Sequence, residues 1–298
     1  MTEPNIDDLA QRVEQLPLLP SVVARLLAVS PDDNDYFEQL LALAREDPPF
    51  ALRLIRLANS SFSAPVDPIS TIQGAIVRIG GREINNLVTS MAVMQVFMPS
   101  TKGERELWVH SVQVAVASRA IARTVRSHQV DAEHAYLCGL VHDIGRFILF
   151  EGDSEALGRV EDVGWQTPGE LVEVERDSFG FDHGELGGRV CERWTLSRLV
   201  TDVVRHHHAS DLAAVVFVDK GVEDMIRVVQ VADRLSVFLI RHPDATSWES
   251  DRLESELARQ CLGPGPESIL SAGQLLELLP TIVEESDRRI SGLGIRVS

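Results

Sequence analysis

The chain has 298 residues, of which 44% are hydrophobic, so it can form one large domain or two smaller ones around a substantial core. Its 45 acidic residues outnumber its 28 Lys and Arg residues and give a formal net charge of -17, which disfavours binding to nucleic acid. The sequence has no apolar run of the ~18 residues that a membrane span needs, no pattern of a secretory signal and three scattered cysteines, and it therefore predicts a cytoplasmic protein with no membrane partner.

The first hundred residues are predicted to form short helices. Apolar residues recur there at intervals of three and four, and Pro, Asp, Asn and Gly fill the gaps. A stretch with Pro, Ser, Thr, Gly and charge at 97–106 interrupts this pattern, so we predict a helical part at 1–100 and a second helical part at 101–298. The predicted helices of the first part cover residues 21–29, 37–47, 50–60, 71–80 and 83–97.

The second part is predicted to contain longer helices. The segment 151–182 is acidic and mixes one short helix with loop, and 213–219 is the best candidate for a strand, although it equally fits the end of a helix. Since no segment shows sustained alternation of apolar and polar residues, the predicted fold class is all-α, a helical bundle. Its predicted helices cover residues 104–127, 132–150, 183–195, 197–208, 222–241, 247–261 and 273–290.

One apolar segment of the second part carries a charged pair. The sequence AYLCGLVHDIGRFILF at 135–150 holds His142 and Asp143 side by side. Charged residues are almost never buried unless they are paired, hydrogen-bonded or bound to a metal. Metal binding and structural pairing explain this pair equally well when it is taken alone.

Two further polar residues lie on apolar helix faces. His110 shares a stripe with apolar residues on the helix at 104–127, and Asp233 does so on the helix at 222–241. A single inward His is more often a hydrogen-bonded core residue, and a single inward Asp more often a cap or a partner of Arg. Together with the His-Asp pair, however, they direct two imidazoles and two carboxylates toward one core, and such groups bind divalent iron, manganese or zinc.

These residues stand in motifs of a known family. The sequences LPLLPSVVARLLAV, LWVHS, GLVHDIGR, HGELGGRVCERWTL and VVQVADRLS occur in the family's order and spacing. Over about residues 10–285 the chain resembles the HDOD (HD-related output domain) family of bacterial signalling proteins, within the HD superfamily of metal-dependent phosphohydrolases. The resemblance implies an N-terminal helical subdomain followed by an HD-like helical subdomain.

The resemblance also implies the ligands of one or two metal ions. Asp143 would bridge the two positions. The related HD-GYP phosphodiesterases have further histidines that correspond to His183 and to two of the run at 206–208, of which we favour the last two. The predicted metal ligands are His110, His142, Asp143, His183, His207, His208 and Asp233.

The sequence leaves open whether two further positions bind metal. Glu106 precedes His110 by four residues, as an extra ligand does in some HD-GYP proteins, but the helix dipole explains an acid in a first helical turn equally well. Histidines at a helix's C-terminal end are also favoured by the dipole, and three in succession cannot all point one way, so one of the run at 206–208 is expected on the surface.

Two departures from the active relatives bear on catalysis. Arg146 stands where they commonly have lysine, and no Gly-Tyr-Pro triplet follows the histidine run. The sequence therefore favours a non-catalytic interaction module whose partners are other signalling proteins, such as components of cyclic-dinucleotide or two-component systems. The alternative is a metal-dependent phosphohydrolase or phosphodiesterase acting on a nucleotide or cyclic dinucleotide, with Asp143 and Arg146 as its catalytic residues.

Overall fold

The structure is a computed structural model, and every regular element that it describes is a helix, which confirms the all-α prediction. Several predicted N-terminal helices lie outside the described part of the chain: 21–29 entirely, 50–60 except residue 58, and 83–97 except its first two residues. The described residues are 5–15, 35–46, 72–81, 83–84, 102–125, 130–152, 163–193, 198–215, 221–262 and 269–292, with the single residues 58, 158, 160 and 217.

The helices are numbered here in chain order. Two short 3-10 helices, Leu212–Ala214 and Ala245–Ser247, flank the tenth α-helix. The α-helices are α1 (Ile6–Gln15), α2 (Tyr36–Glu46), α3 (Ile72–Ile79), α4 (Lys102–Thr124), α5 (Ala132–Val141), α6 (Ile144–Gly152), α7 (Pro168–Phe179), α8 (His183–Arg193), α9 (Arg198–His206), α10 (Gly221–Arg241), α11 (Ser250–Gln260) and α12 (Ala272–Gly292).

Contacts divide the chain into two compact units. Unit 1 comprises residues 1–15 and 99–287, and unit 2 comprises residues 16–98 and 288–296, with one further C-terminal residue assigned to each unit. The division into domains at residue 100 stays a prediction. In the part of the chain that is described, no helix is both long and apolar enough to cross a membrane.

Unit 2 is held together by the packing of α2 against α3. Leu40 of α2 and Ile76 of α3 are buried, and the Tyr36 hydroxyl donates a hydrogen bond to the Gly81 carbonyl at 3.1 Å. Helix α3 ends at Gly80, whose φ of 85° lies in the left-handed region that glycine adopts without strain. This turn brings Gly81 against the Tyr36 ring.

Unit 1 contains all the predicted metal ligands. Helix α4 packs on α5 and α10, and α8 packs on α6 and α9. The approach of α5 to α4 is close, because a β-carbon added at Gly139 would lie 2.8 Å from the carbonyl oxygen of Val114. Buried side chains such as Tyr136, Leu140 and Phe238 fill the core between these helices. The three cysteines of the chain are buried and free, in agreement with a protein without disulfides.

The single helix predicted over 132–150 is wrong, because the structure breaks it at the His-Asp pair. Helix α5 ends at Val141, His142 and Asp143 form a turn, and α6 starts at Ile144. Gly145 explains why the break is possible: a β-carbon there would overlap the backbone carbonyl of His183, so only glycine lets α6 start in contact with α8. The turn thus places the pair beside the first residue of α8.

Two other local predictions are also wrong. The interrupting stretch was placed at 97–106, but its described residues 102–106 belong to α4, which starts two residues before the helix predicted from 104. The strand candidate at 213–219 does not form a strand over its described residues, since 212–214 is a 3-10 helix that Asp211 caps through a hydrogen bond from the backbone NH of Ala213. The sequence DHGE at 182–185 has the D-x-x-E pattern of a capping box, and its aspartate side forms, because the backbone NH of Glu185 donates to Asp182 at 2.9 Å.

Candidate metal centre

The seven predicted ligands converge in unit 1 from five places in the chain. They come from α4, from the turn between α5 and α6, from the first residue of α8, from the turn after α9, and from α10. Their donor atoms form two groups, and within each group the atoms lie within 4.8 Å of one another. Group A consists of His110, His142 and Asp233, and group B consists of Asp143, His183, His207 and His208.

Group A brings two imidazole nitrogens against a carboxylate. The Nε2 atoms of His110 and His142 are 3.2 Å apart, and His110 Nε2 is 3.3 Å from Asp233 Oδ1. All three residues are buried. The group therefore collects two nitrogen donors and one oxygen donor around one point.

Group B brings three imidazoles together. His183 Nε2 lies 3.2 Å from His207 Nε2 and 2.9 Å from His208 Nε2. His183 and His207 are fully buried, and His208 is partly exposed. Three imidazole nitrogens this close together can hold one metal ion, as they do in known three-histidine sites.

Asp143 connects the two groups. Its Oδ1 is 3.1 Å from His183 Nε2 in group B and 3.5 Å from His142 Nε2 in group A. Its Oδ2 is 3.6 Å from His110 Nε2. The carboxylate therefore has one oxygen available to each side, which is the placement that a bridging ligand requires.

Backbone carbonyls fix the orientation of two of these imidazoles. His142 Nδ1 lies 2.8 Å from the Gly139 carbonyl, and His207 Nδ1 lies 2.7 Å from the Val204 carbonyl. A carbonyl only accepts hydrogen bonds, so the proton of each neutral ring is on Nδ1 and the Nε2 lone pair faces the centre. Metal-binding histidines are held in this way in known sites.

A hydroxyl and an amide orient His110. The Ser236 hydroxyl donates to the Gln113 side-chain oxygen at 2.7 Å, so its oxygen accepts from His110 Nδ1 at 2.9 Å. This chain of hydrogen bonds joins α10 to α4 and leaves the Nε2 lone pair of His110 directed at His142. Neither Ser236 nor Gln113 was singled out from the sequence.

A buried carboxylate orients His183. Glu175 Oε2 accepts hydrogen bonds from His183 Nδ1 at 2.5 Å and from the backbone NH of the same residue at 2.9 Å. Glu175 is fully buried in α7, and its other oxygen is 4.0 Å from Arg146 Nε. Carboxylate, imidazole and metal in this order form a triad that raises the basicity of the ligand.

Electrostatics keep the donor atoms of His142, His208 and Asp143 unprotonated, whereas they favour a proton on His183. Burial lowers the pKa of His142 to about 4 and that of His208 well below its ordinary value. Burial opposes the charge on Asp143, but His142 and His183 hold the pKa of its carboxyl well below the usual range. For His183, burial also opposes charge, and the carboxylates of Glu175 and Asp143 outweigh it and raise the pKa to about 10.

These observations test whether a metal fits. Two imidazole lone pairs that face each other at 3.2 Å repel unless a cation lies between them, and group A contains such a pair. In group B, His183 Nε2 lies 3.2 Å from His207 Nε2, so either His183 carries a proton or a metal ion lies between the two nitrogens. The donors are imidazoles and carboxylates with fixed lone pairs, so the residues fit a metal, and iron, manganese and zinc accept such donors.

A cavity of about 370 Å³ opens on these donors. Its floor includes His110 and Asp233 of group A and Asp143 and His208 of group B, and Arg146 lies beside them. The Arg146 guanidinium is 3.6 Å from Asp143 Oδ2. A ligand in this cavity therefore reaches both groups and a guanidinium at once.

Comparison with known sequences identifies the family, since the family model described as HDOD domain matches residues 16–210. The chain belongs to the HDOD family. An uncharacterized protein of Treponema pallidum (strain Nichols) is 23% identical over 202 residues, which are 67% of this HDOD chain and 39% of the Treponema protein. The HDOD chain thus spans about two fifths of the length of that relative.

Solved structures show the same fold. A Shewanella amazonensis SB2B protein provisionally named a phosphohydrolase has a TM-score of 0.69 at 21% identity, with 96% of the HDOD chain and 97% of that chain covered. A Marinobacter aquaeolei VT8 protein provisionally named a signal transduction protein has a TM-score of 0.70 at 18% identity. The match covers 99% of the HDOD chain and 62% of the Marinobacter chain. At these identities the likeness is one of fold.

His206 and Glu106, whose roles the sequence left open, belong to neither donor group. His206 is half-buried at the end of α9 with its ring against Phe217, 5.8 Å between centroids. Glu106 is exposed and lines the cavity, outside groups A and B. Because α4 starts at Lys102, Glu106 stands in its second turn, so the expectation that it lies in the first turn is wrong.

Replacement of Ser236 by Ala tests the orientation of His110. The variant removes the acceptor of His110 Nδ1–H, and we expect metal affinity at group A to fall about 10- to 100-fold, as losses of outer hydrogen bonds do elsewhere. Competition with a chromophoric chelator measures this change. Ser111→Ala is the matched control, since Ser111 is buried next to His110 but donates to the Leu107 carbonyl, and it should bind metal as the wild type does.

Proposed function

We propose that this HDOD chain is a regulatory protein of bacterial signal transduction whose unit 1 binds two divalent metal ions. The observation that carries the metal proposal is the carboxylate of Asp143, which lies between two groups of Nε2 atoms with one oxygen toward each. Iron, manganese and zinc are the ions that suit this donor set. One ion is assigned to each group, with Asp143 shared.

The regulatory part of the proposal rests on the family. HDOD proteins are known mainly as signalling domains, and the Marinobacter relative of the same fold carries a signalling name. The proposed partners are other signalling proteins, including components of cyclic-dinucleotide or two-component systems. The net charge of -17 supports protein partners over nucleic acid.

A second candidate function is favoured by the cavity. It opens on atoms of both groups and on Arg146, which is the arrangement that a metal-dependent phosphohydrolase needs, and the Shewanella relative is named a phosphohydrolase. Metal ions at such a centre supply Lewis acidity toward phosphoryl oxygens. In this chain Arg146 would bind a phosphate oxygen beside Asp143, and the histidine orientations would keep the centre rigid.

Metal analysis followed by activity assays tests both proposals. We expect elemental analysis of protein purified without chelator to find about two ions of iron, manganese or zinc per chain. The loaded protein is then incubated with bis(p-nitrophenyl) phosphate and with cyclic dinucleotides. Turnover that disappears in Arg146→Ala at unchanged metal content supports the hydrolase, and two bound ions without turnover support the regulatory role alone. Protein that binds no metal when offered each ion contradicts the metal centre.

A further inference from the structure

The walls of the cavity differ chemically from its floor. Above the metal-facing atoms, helix α4 contributes Leu107, the start of α7 contributes Leu171, and α10 contributes Val237 and Ile240. Ile240 is 43% exposed. Because Ile240 lines this cavity, a ligand there can remove part of its surface from water.

Trp165 forms a further part of the apolar wall, and the structure holds it in place. Arg241 donates to the carbonyl of Trp165 at 2.8 Å and to that of Gln166, which ties the loop to the end of α10. On the other side of the loop, Thr167 caps α7 by accepting from the backbone NH of Glu170 at 3.2 Å. The backbone of Trp165 is therefore tied to α10, two residues before the capped start of α7.

Cations lie next to this aromatic wall. The guanidinium carbons of Arg241 and Arg146 are 5.0 Å and 5.9 Å from the centre of the Trp165 ring. Arg146 is also 3.6 Å from Asp143 on the floor. The cavity thus passes from a floor that would suit an anion once metal is bound, through a guanidinium, to an apolar and aromatic wall.

From this gradient we infer that the cavity binds a small phosphate or phosphonate whose organic part is apolar, with the anion on the floor and the apolar group against Trp165, Leu171 and Ile240. The inference rests on the proposed metal centre, which supplies the positive charge of the floor. Sugar hydroxyls placed against this wall would lose hydrogen bonds to water, whereas an aromatic ring gains from burial. A cavity of about 370 Å³ is at the small end of ligand pockets, which suits a group of one or two rings.

Binding of two non-hydrolysable phosphonates to the manganese-loaded full chain tests this inference by calorimetry. Benzylphosphonate and 2-hydroxyethylphosphonate present the same anion with an aromatic and a polar group. We expect benzylphosphonate to bind at least about tenfold more tightly, which is about 1.4 kcal/mol. Equal affinities, or tighter binding of the hydroxyethyl compound, would overturn the inference.

Variants of the wall locate the effect. Ile240→Ser and Trp165→Ala change an exposed and a partly exposed side chain, and each should weaken benzylphosphonate binding about fivefold or more while leaving 2-hydroxyethylphosphonate unchanged. Val163→Ser is the control, because Val163 lies in the same loop, is 65% exposed and does not line the cavity. Unchanged benzylphosphonate affinity in both wall variants contradicts the inference.

The same titrations separate this inference from the proposed function. If the chain binds metal and both phosphonates with equal affinity, the metal centre stands and the apolar site is refuted. If elemental analysis finds no metal after loading and neither phosphonate binds, the proposed centre fails and the inference fails with it. If metal binds but neither phosphonate does, the inference alone is refuted.

Discussion

Asp143→Asn should remove metal from both positions at once, and elemental analysis should find less than one tenth of the wild-type content. Asp143 has oxygens directed to both groups, and these oxygens lie 3.1 Å from His183 Nε2 and 3.6 Å from His110 Nε2. Asparagine has the size of aspartate but not its negative charge, and it replaces one carboxylate oxygen by an NH₂ group that cannot bind a cation. We expect affinity to fall more than about 100-fold, beyond the effect of losing an outer hydrogen bond.

Asp182→Asn is the matched control for this variant. Asp182 is a buried aspartate next to His183, but it caps α8 and pairs with Arg176, and it lies outside both donor groups. Asparagine also serves well as a helix cap, so Asp182→Asn should retain both ions. Circular dichroism shows whether each variant keeps its helices. Two tightly bound ions in folded Asp143→Asn would contradict the bridging role.

Removal of metal should destabilise the wild-type chain by about 4 kcal/mol when the ion is present at about 1,000 times its dissociation constant. For a unit of this size that corresponds to a fall in melting temperature of about 10 °C. The physical cause is that only the folded chain brings the donors of each group together, so the ion binds the folded state and not the unfolded one. Calorimetry with and without EDTA measures the difference.

Asp143→Asn provides the control for chelation as well. Since this variant should hold no metal, EDTA should leave its melting temperature unchanged. A wild-type chain that holds two ions and melts at the same temperature with and without EDTA would show that the metal does not stabilise the fold. That result would contradict binding of the ions by donors that only the folded chain brings together.

Helical periodicity was sufficient to place several of the site residues. The period of 3.6 put His110 and Asp233 on inward faces, and both are buried with their side chains 3.3 Å apart. The resemblance to the family added His183 and the preference for His207 and His208 over His206, and the structure brings these three together in group B. That any of these residues binds metal stays a prediction.

The break between α5 and α6 could not be predicted from local sequence. Apolar residues continue on both sides of His142. Of the two glycines nearby, Gly139 lies inside α5, and Gly145 gives no local sign of the break, since helices tolerate a glycine. The reason for that glycine is its contact with the backbone of His183, a residue 38 positions later in the chain. Contacts of this kind do not appear in a periodic pattern.

The residues that orient the imidazoles were also missed. Glu175 resembles any other acid of an acidic segment, and Ser236 is one small polar residue in an apolar helix. Their importance comes from single hydrogen bonds, one of which joins residues 126 positions apart. Glu175 stands out from the other acids of its segment only once the structure shows that it is buried.

The donors of the centre are spread from His110 to Asp233, and this spread has a consequence for protein synthesis. A chain still emerging from the ribosome has every residue of group B once His208 has been made, whereas group A lacks its carboxylate until α10 is synthesised. Group B can therefore form before group A on the nascent chain, and group A cannot be complete before Asp233 is made. Group A becomes complete when the last helix of the centre is added.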